Sequence, residues 1–183
     1  MFSSVVKIFD TEQCQKIVYE FDSTNLFADD HGYSPNSFGI ANLPLANQFV
    51  NLLTEKLLEW KPVLRSRQIT FKNSFARKYL NGSKLKIHTD RPGLDYTCSV
   101  CLESPSNFQW PLKISNVPWD SADWVNSLPN YDRWTSDYTN YYADIGWGIF
   151  AEGRKYPHWR DTFPDQYGQQ KRAVYVFYHW EEI

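Results

Sequence analysis

Residues 68–90 read QITFKNSFARKYLNGSKLKIHTD, and the reading of this stretch decides the fold. Residues 68–80 alternate in the manner of a half-buried strand, with Ile69, Phe71 and Phe75 among the apolar positions. Asn81-Gly82 then supplies a turn, since both residue types tolerate the left-handed backbone that tight hairpins need. A second strand is expected over 84–88, and it runs into His88-Thr89-Asp90. Residues two apart in an extended chain project to one face, so an imidazole and a carboxylate can converge on one ion. Alone, a His-x-Asp triplet reads as easily as an ordinary surface pair.

Upstream, the period changes from two to that of a helix. Cys14, Ile17, Val18 and Phe21 fall at i, i+3, i+4 and i+7, and Asp10 with Gln13 three residues on forms an N-terminal capping pattern. A second helix is expected from about residue 45 to 60, with Phe49, Leu52, Leu53 and Leu57 on one stripe and Pro62 stopping it. Residues 29–44, rich in Gly, Pro, Asn and Ser, read as a loop. Downstream, residues 95–102, 146–151, 156–160 and 172–180 are further short strands. Two helices followed by many short strands predict a mainly β sandwich or barrel with helices flanking it. Residues 115–144 break this rhythm: Trp119, Trp124, Tyr131, Trp134, Tyr138, Tyr141 and Tyr142 lie among Asp, Asn and Ser. That insertion is either a lid or a surface loop whose rings cover the sheet.

With 183 residues the chain is expected to form one domain with a substantial core. A net charge of −2 provides no general field for nucleic acid or anionic membrane, so neither is an expected partner. No apolar run approaches the roughly 20 residues of a membrane span. The start, MFSSVVKIFD, lacks the features of a signal peptide, which predicts a cytoplasmic protein. Cys14, Cys98 and Cys101 are odd in number and argue against a disulfide framework. Cys98 and Cys101 have no second pair with which to build a zinc site, so two buried thiols are expected.

Of the four histidines, His31 lies in a Gly-Asp loop and His179 on the last strand, where structural roles are expected. His158 follows a Gly-started apolar strand in GIFAEGRKYPHWRDTF. It stands far enough from Asp90 for intervening strands of a double-sheet barrel to bring the two together. Two imidazoles and one carboxylate on one face of an iron(II) ion leave its opposite face open.

The segment from Tyr79 to Asp90 (YLNGSKLKIHTD) resembles the Tyr-x8-His-x-Asp signature of the 2-oxoglutarate and iron(II)-dependent dioxygenases, in particular the prolyl 4-hydroxylase-like branch. The segment from Gly146 to Arg160 is similar to that superfamily's Gly-x-apolar-apolar-Phe…His element. The resemblance covers residues 70–180 and implies a double-stranded β-helix (jelly-roll) core, preceded by a helical flank over 1–62. It implies His88, Asp90 and His158 as metal ligands and catalytic centre, with Fe(II) as metal and 2-oxoglutarate as cosubstrate.

It further implies a basic residue for the far carboxylate of 2-oxoglutarate, with Arg172 the first choice and Arg160 and Lys171 the alternatives. Tyr79 is either a cosubstrate ligand or a core tyrosine. The activity implied is hydroxylation of a C–H bond with dioxygen, on a small molecule or a protein side chain such as proline. Trp159 and Trp180, with the rings of 115–144, are candidates to border the substrate. In the strand YTCSVCLE the chain departs from the many relatives that carry a tyrosine beside the cosubstrate. Two other classes are weighed against this one: a cupin-like metal enzyme without 2-oxoglutarate, which usually needs more histidines, and a non-catalytic jelly-roll module binding sugar or peptide.

Overall fold

The computed structural model describes residues 3–28, 34–105, 108–119, 132–164 and 172–183. His31, Trp124, Tyr131 and Lys171 lie outside these. Among the described residues eleven strands form two sheets: β1 (Ser3–Lys7), β2 (Phe27–Ala28), β3 (Ser37–Ala41), β4 (Ile69–Tyr79), β5 (Leu85–His88), β6 (Tyr96–Glu103), β7 (Leu112–Ser115), β8 (Tyr138–Tyr141), β9 (Trp147–Ala151), β10 (His158–Arg160) and β11 (Ala173–Glu182). Helices α1 (Thr11–Asp22), α2 (Pro44–Asn47) and α3 (Val50–Trp60) precede β4, and a single turn, α4 (Asp132–Thr135), precedes β8.

From β4 onward the chain steps between a seven-stranded sheet, ordered β1-β9-β6-β11-β4-β3-β2, and a four-stranded sheet, ordered β5-β10-β7-β8. Every pairing is antiparallel, and strands β4 to β11 make the jelly roll. No helix is long and apolar enough to cross a membrane among the described residues.

The first helix forms as its sequence pattern requires. Asp10 accepts from the Gln13 backbone N–H at 2.8 Å while the Gln13 side chain accepts from the Asp10 N–H at 2.9 Å. Its buried residues Cys14, Ile17 and Phe21 join Leu53 and Leu57 of α3 against the outer face of the large sheet. The expected second helix is two pieces, α2 and α3, which break at Gln48-Phe49. Residues 37–41, read from composition as loop, are a strand, because β4 offers Ser37 to Ala41 a continuous ladder. Tyr138–Tyr141, placed in the irregular insertion, is likewise a strand, paired along β7. Trp134 beside it packs with Ile87 and Trp159 on the outer side of the small sheet.

A bulge in β4 positions the interior. Phe71 opposes Trp180 and Asn73 opposes His179, which leaves the Lys72 backbone without an opposite residue in the β11 ladder. One extra residue swaps the faces of everything beyond it. Ile69 and Phe71 therefore pack toward the helices, whereas Asn73, Phe75, Arg77 and Tyr79 line the inside of the barrel. Strand β11 divides in the same way: Val174, Val176, Tyr178 and Trp180 join the helical side, and Phe177 and His179 face inward. Trp180 is consequently buried against Phe71, Phe150 and Tyr178 and does not border the interior cavity. Trp159 packs on Tyr138 outside the small sheet, and it too is no part of that cavity.

Candidate metal centre

The end of β5 and the start of β10 lie side by side, with His158 directly opposite His88. Their rings are 4.2 Å apart, centre to centre. Asp90 follows the end of β5 and directs Oδ1 at both rings, 3.9 Å from His88 Nε2 and 3.7 Å from His158 Nε2. One donor atom from each of the three residues lies within 4.8 Å of the other two, and all three residues are buried, at 5, 9 and 6 % exposure for His88, Asp90 and His158. Chain order alone brings His88 and Asp90 together; the antiparallel pairing of β5 with β10 brings in His158.

Each donor is held in one orientation. His88 Nδ1 donates to the Lys86 carbonyl at 2.7 Å, and His158 Nδ1 donates to the Tyr156 carbonyl at 3.0 Å. A carbonyl only accepts, so each neutral ring carries its proton on Nδ1 and turns the Nε2 lone pair toward the cluster. The Thr97 hydroxyl makes a short hydrogen bond to Asp90 Oδ2, which leaves Oδ1 to face the rings. The Asp90 backbone N–H donates to the Gly153 carbonyl at 2.9 Å. Gly153 has no room for a side chain, because a Cβ there would overlap Asp90 Oδ2.

The electrostatics suit a cation. Burial, reinforced by His158, lowers the His88 pKa to about 3, so the ring is neutral at ordinary pH. Burial pushes the Asp90 carboxyl upward, but His158, His179, His88 and the Thr97 hydroxyl outweigh it and hold it below its ordinary value. The two imidazoles and one carboxylate, with His88 Nε2, His158 Nε2 and Asp90 Oδ1 converging, form the donor set of an iron(II) or similar divalent site.

The triad opens on a cavity of about 590 Å³. From floor to mouth its large-sheet wall runs Tyr79, Arg77, Phe75 with Phe177, then Asn73 with His179. Tyr79 is buried in the floor among Trp110 and Tyr175, so it meets the cavity while belonging to the core. Arg160 lies beside this floor at 1 % exposure. Its guanidinium donates to the Trp110 carbonyl and, at 3.3 Å, to Ser99 Oγ, and it stacks 4.1 Å over the Tyr175 ring. Its Nε has no hydrogen-bond partner, and no carboxylate pairs with it among the described residues.

Arg172, the first sequence choice for the far carboxylate, is elsewhere. It opens β11 outside the cavity and is clamped by Asp22, at 2.6 and 2.7 Å, and Glu103, at 3.0 and 2.7 Å. Both carboxylates raise its pKa and occupy its fork, so it has neither the position nor a free face for the cosubstrate.

Thr97, Gly153, Arg77 and His179 escaped the sequence reading as site residues. His179 Nδ1 donates to Asn73 Oδ1 at 2.8 Å, and the ring lines the cavity. The alternation of YTCSVCLE could have exposed Thr97 and Ser99: they face inward while Cys98 and Val100 face the helices. Cys98 and Cys101 consequently lie in different clusters, and both are free and buried.

No protein-family model matches the chain, and no curated protein matches it by sequence. Solved structures do share its fold. A Pseudomonas putida prolyl-4-hydroxylase is similar with a TM-score of 0.68 at 10% identity, over 99% of this chain and 92% of that one. A viral collagen prolyl hydroxylase from Paramecium bursaria Chlorella virus-1, in complex with 2-oxoglutarate, reaches 0.68 at 12% identity, over 100% and 97%. HygX from Streptomyces hygroscopicus, with nickel and 2-oxoglutarate bound, reaches 0.66 at 10% identity, over 98% and 82%. At such identities the likeness is one of fold, and the fold is the double-stranded β-helix of the 2-oxoglutarate and iron(II) oxygenases.

Proposed function

We propose that this chain is an iron(II)- and 2-oxoglutarate-dependent dioxygenase that hydroxylates a C–H bond. The observation that carries this reading is the buried meeting of His88, Asp90 and His158, with three oriented donors and a cavity on their open side. The group they would hold supplies dioxygen-dependent hydroxylation coupled to decarboxylation of 2-oxoglutarate to succinate. His88, Asp90 and His158 would hold the ion from one side, toward which the cavity opens for cosubstrate and substrate. Thr97 and Gly153 hold Asp90 so that a single carboxylate oxygen serves as ligand.

Arg160 is the residue we assign to the far carboxylate of 2-oxoglutarate. It stands two residues beyond His158, a strand step of about 6.6 Å, which suits the span of a five-carbon diacid chelating at its other end. A buried guanidinium without a counter-ion is costly, and a carboxylate on its open side supplies the missing partner. Arg77 lines the cavity near the same depth and Tyr79 closes it. Phe75 and Phe177 keep the middle of the cavity apolar. A cytoplasmic setting suits the three buried thiols.

The test is titration calorimetry with iron(II) or nickel(II) followed by 2-oxoglutarate, then succinate formation under air. Wild type is expected to bind the metal first and 2-oxoglutarate only afterwards. Retention of 2-oxoglutarate binding after chelation of the metal, or metal binding unchanged in His158→Ala, would overturn the assignment.

A further inference from the structure

We propose, resting on that oxygenase reading, that the substrate is a small anionic molecule, an organic acid or a phosphate ester. Lys86 and Arg91 grip its acidic group while its apolar body lies on Phe75, Phe177 and Leu94.

The charges around the cavity are lopsided. Its wall holds Arg77, Lys86 and Arg91, and Asp90 is the only carboxylate among them in the described residues. Asp90 and the two imidazoles are the residues assigned to the metal. Of the two carboxylates of 2-oxoglutarate, one would go to the ion and the other is the one assigned to Arg160. Arg77 is engaged with Ser37 Oγ at 3.3 Å and lies over the Phe75 ring. Lys86 and Arg91 are left over: neither side chain has a hydrogen bond or ion pair among the described residues. Elsewhere on this protein Lys61, Lys72, Lys113 and Arg172 all have carboxylates within 2.8 Å.

Position singles out these two. Lys86 precedes His88 by two residues on β5 and shares its inward face, half-buried. Arg91 follows Asp90 at the mouth, near His179. Together they bracket the ligand segment from both ends. Exposed Arg91 at the mouth and half-buried Lys86 on the wall attract an anion from solution, and Lys86 then pairs with it where water screens less. A cationic substrate would be repelled here, and an uncharged proline ring would leave both cations unmatched. Lys86 belongs to the cavity wall, so an acidic group that pairs with it enters the cavity, which favours a small molecule. Phe75 and Phe177, paired across β4 and β11, provide the surface for its apolar part.

The experiment uses protein loaded with nickel(II) and 2-oxoglutarate, titrated in a calorimeter with phenyl phosphate, phenylacetate and neutral benzyl alcohol. The anionic probes should bind at least about tenfold more tightly than benzyl alcohol. Lys86→Ala and Arg91→Ala should each remove most of that preference, while 2-oxoglutarate affinity, measured first in each variant, stays within about twofold. Equal binding of charged and neutral probes would overturn the inference while leaving the oxygenase reading intact. So would a loss of 2-oxoglutarate affinity in either variant as large as the loss for the anions, since the cation would then serve the cosubstrate. Failure of 2-oxoglutarate to bind the nickel-loaded wild type would sink the oxygenase reading and this inference together.

Discussion

The two sheets enclose one cavity but are stabilised by different means. The large sheet is covered by α1 and α3 and carries most of the apolar core on that face, including Cys98, Val100, Phe150, Val174, Val176 and Trp180. The small sheet is four strands deep, has the three-residue β10 near its centre, and supplies both histidines. One sheet is a foundation and the other an instrument mounted on it. Residues that fold the chain and residues that bind the ion should therefore be separable by mutation, which is not the case where a metal itself staples a small fold.

The separation can be broken most directly at the ligands. Asp90→Ala or His158→Ala is expected to abolish detectable metal binding while leaving a cooperative thermal transition in the metal-free protein. Collapse of the metal-free fold in either variant, seen by circular dichroism, would show that the two roles are fused. The converse substitution, Trp180→Ala, removes a fully buried ring and its hydrogen bond to Thr54 Oγ1 and should cost about 3–5 kcal/mol. Urea unfolding checks it, and the surviving folded fraction should still bind metal.

Gly153→Ala tests the join between the sheets. Its methyl must displace the Asp90 carboxylate, so metal affinity is expected to fall by about 10–100-fold. Thr97→Val should fall in the same direction by less, because Asp90 keeps its place and loses one hydrogen bond.

Acid should affect the metal-free protein through the same site. The folded His88 ring stays neutral down to about pH 3, whereas the unfolded ring takes up a proton near 6.5. Between those values the unfolded chain binds more protons, so stability is full above about pH 6.5 and declines as pH falls toward 3. Asp90, held below its ordinary value, adds a loss of the same sign further down. Denaturation midpoints at pH 7.5 and pH 5 are expected to differ less in His88→Gln than in wild type. The smallest effect is expected for Arg172→Ala: its partly exposed clamp on Asp22 and Glu103 contributes no more than about 1 kcal/mol, with 2-oxoglutarate affinity unchanged.

Local patterns were a good guide wherever local physics decides. The capping box of α1, the strands β4, β6 and β11, and the His-x-Asp end of β5 all lie close to where the sequence places them. Composition misled at residues 37–41 and 138–141, because a polar, Gly- or Asn-bearing segment becomes a strand when a neighbour offers it a ladder. The two arginines illustrate the limit. Arg172 and Arg160 were both placed after His158 by counting, yet Asp22, 150 residues from Arg172, helps hold it outside the cavity. Alternation alone pointed Arg160 to the same face as His158, and its burial beside Ser99 accords with that.

By itself the chain determined the strand rhythm, the helical flank and the types of donor atom available, since these depend on neighbours within a few residues. Only the tertiary structure decided which arginine lies buried beside the cavity floor, which aromatic rings line the cavity, and that Gly153 must lack a side chain. A single unpaired residue at Lys72 turned one end of a strand over, and such a choice is made by the opposite strand.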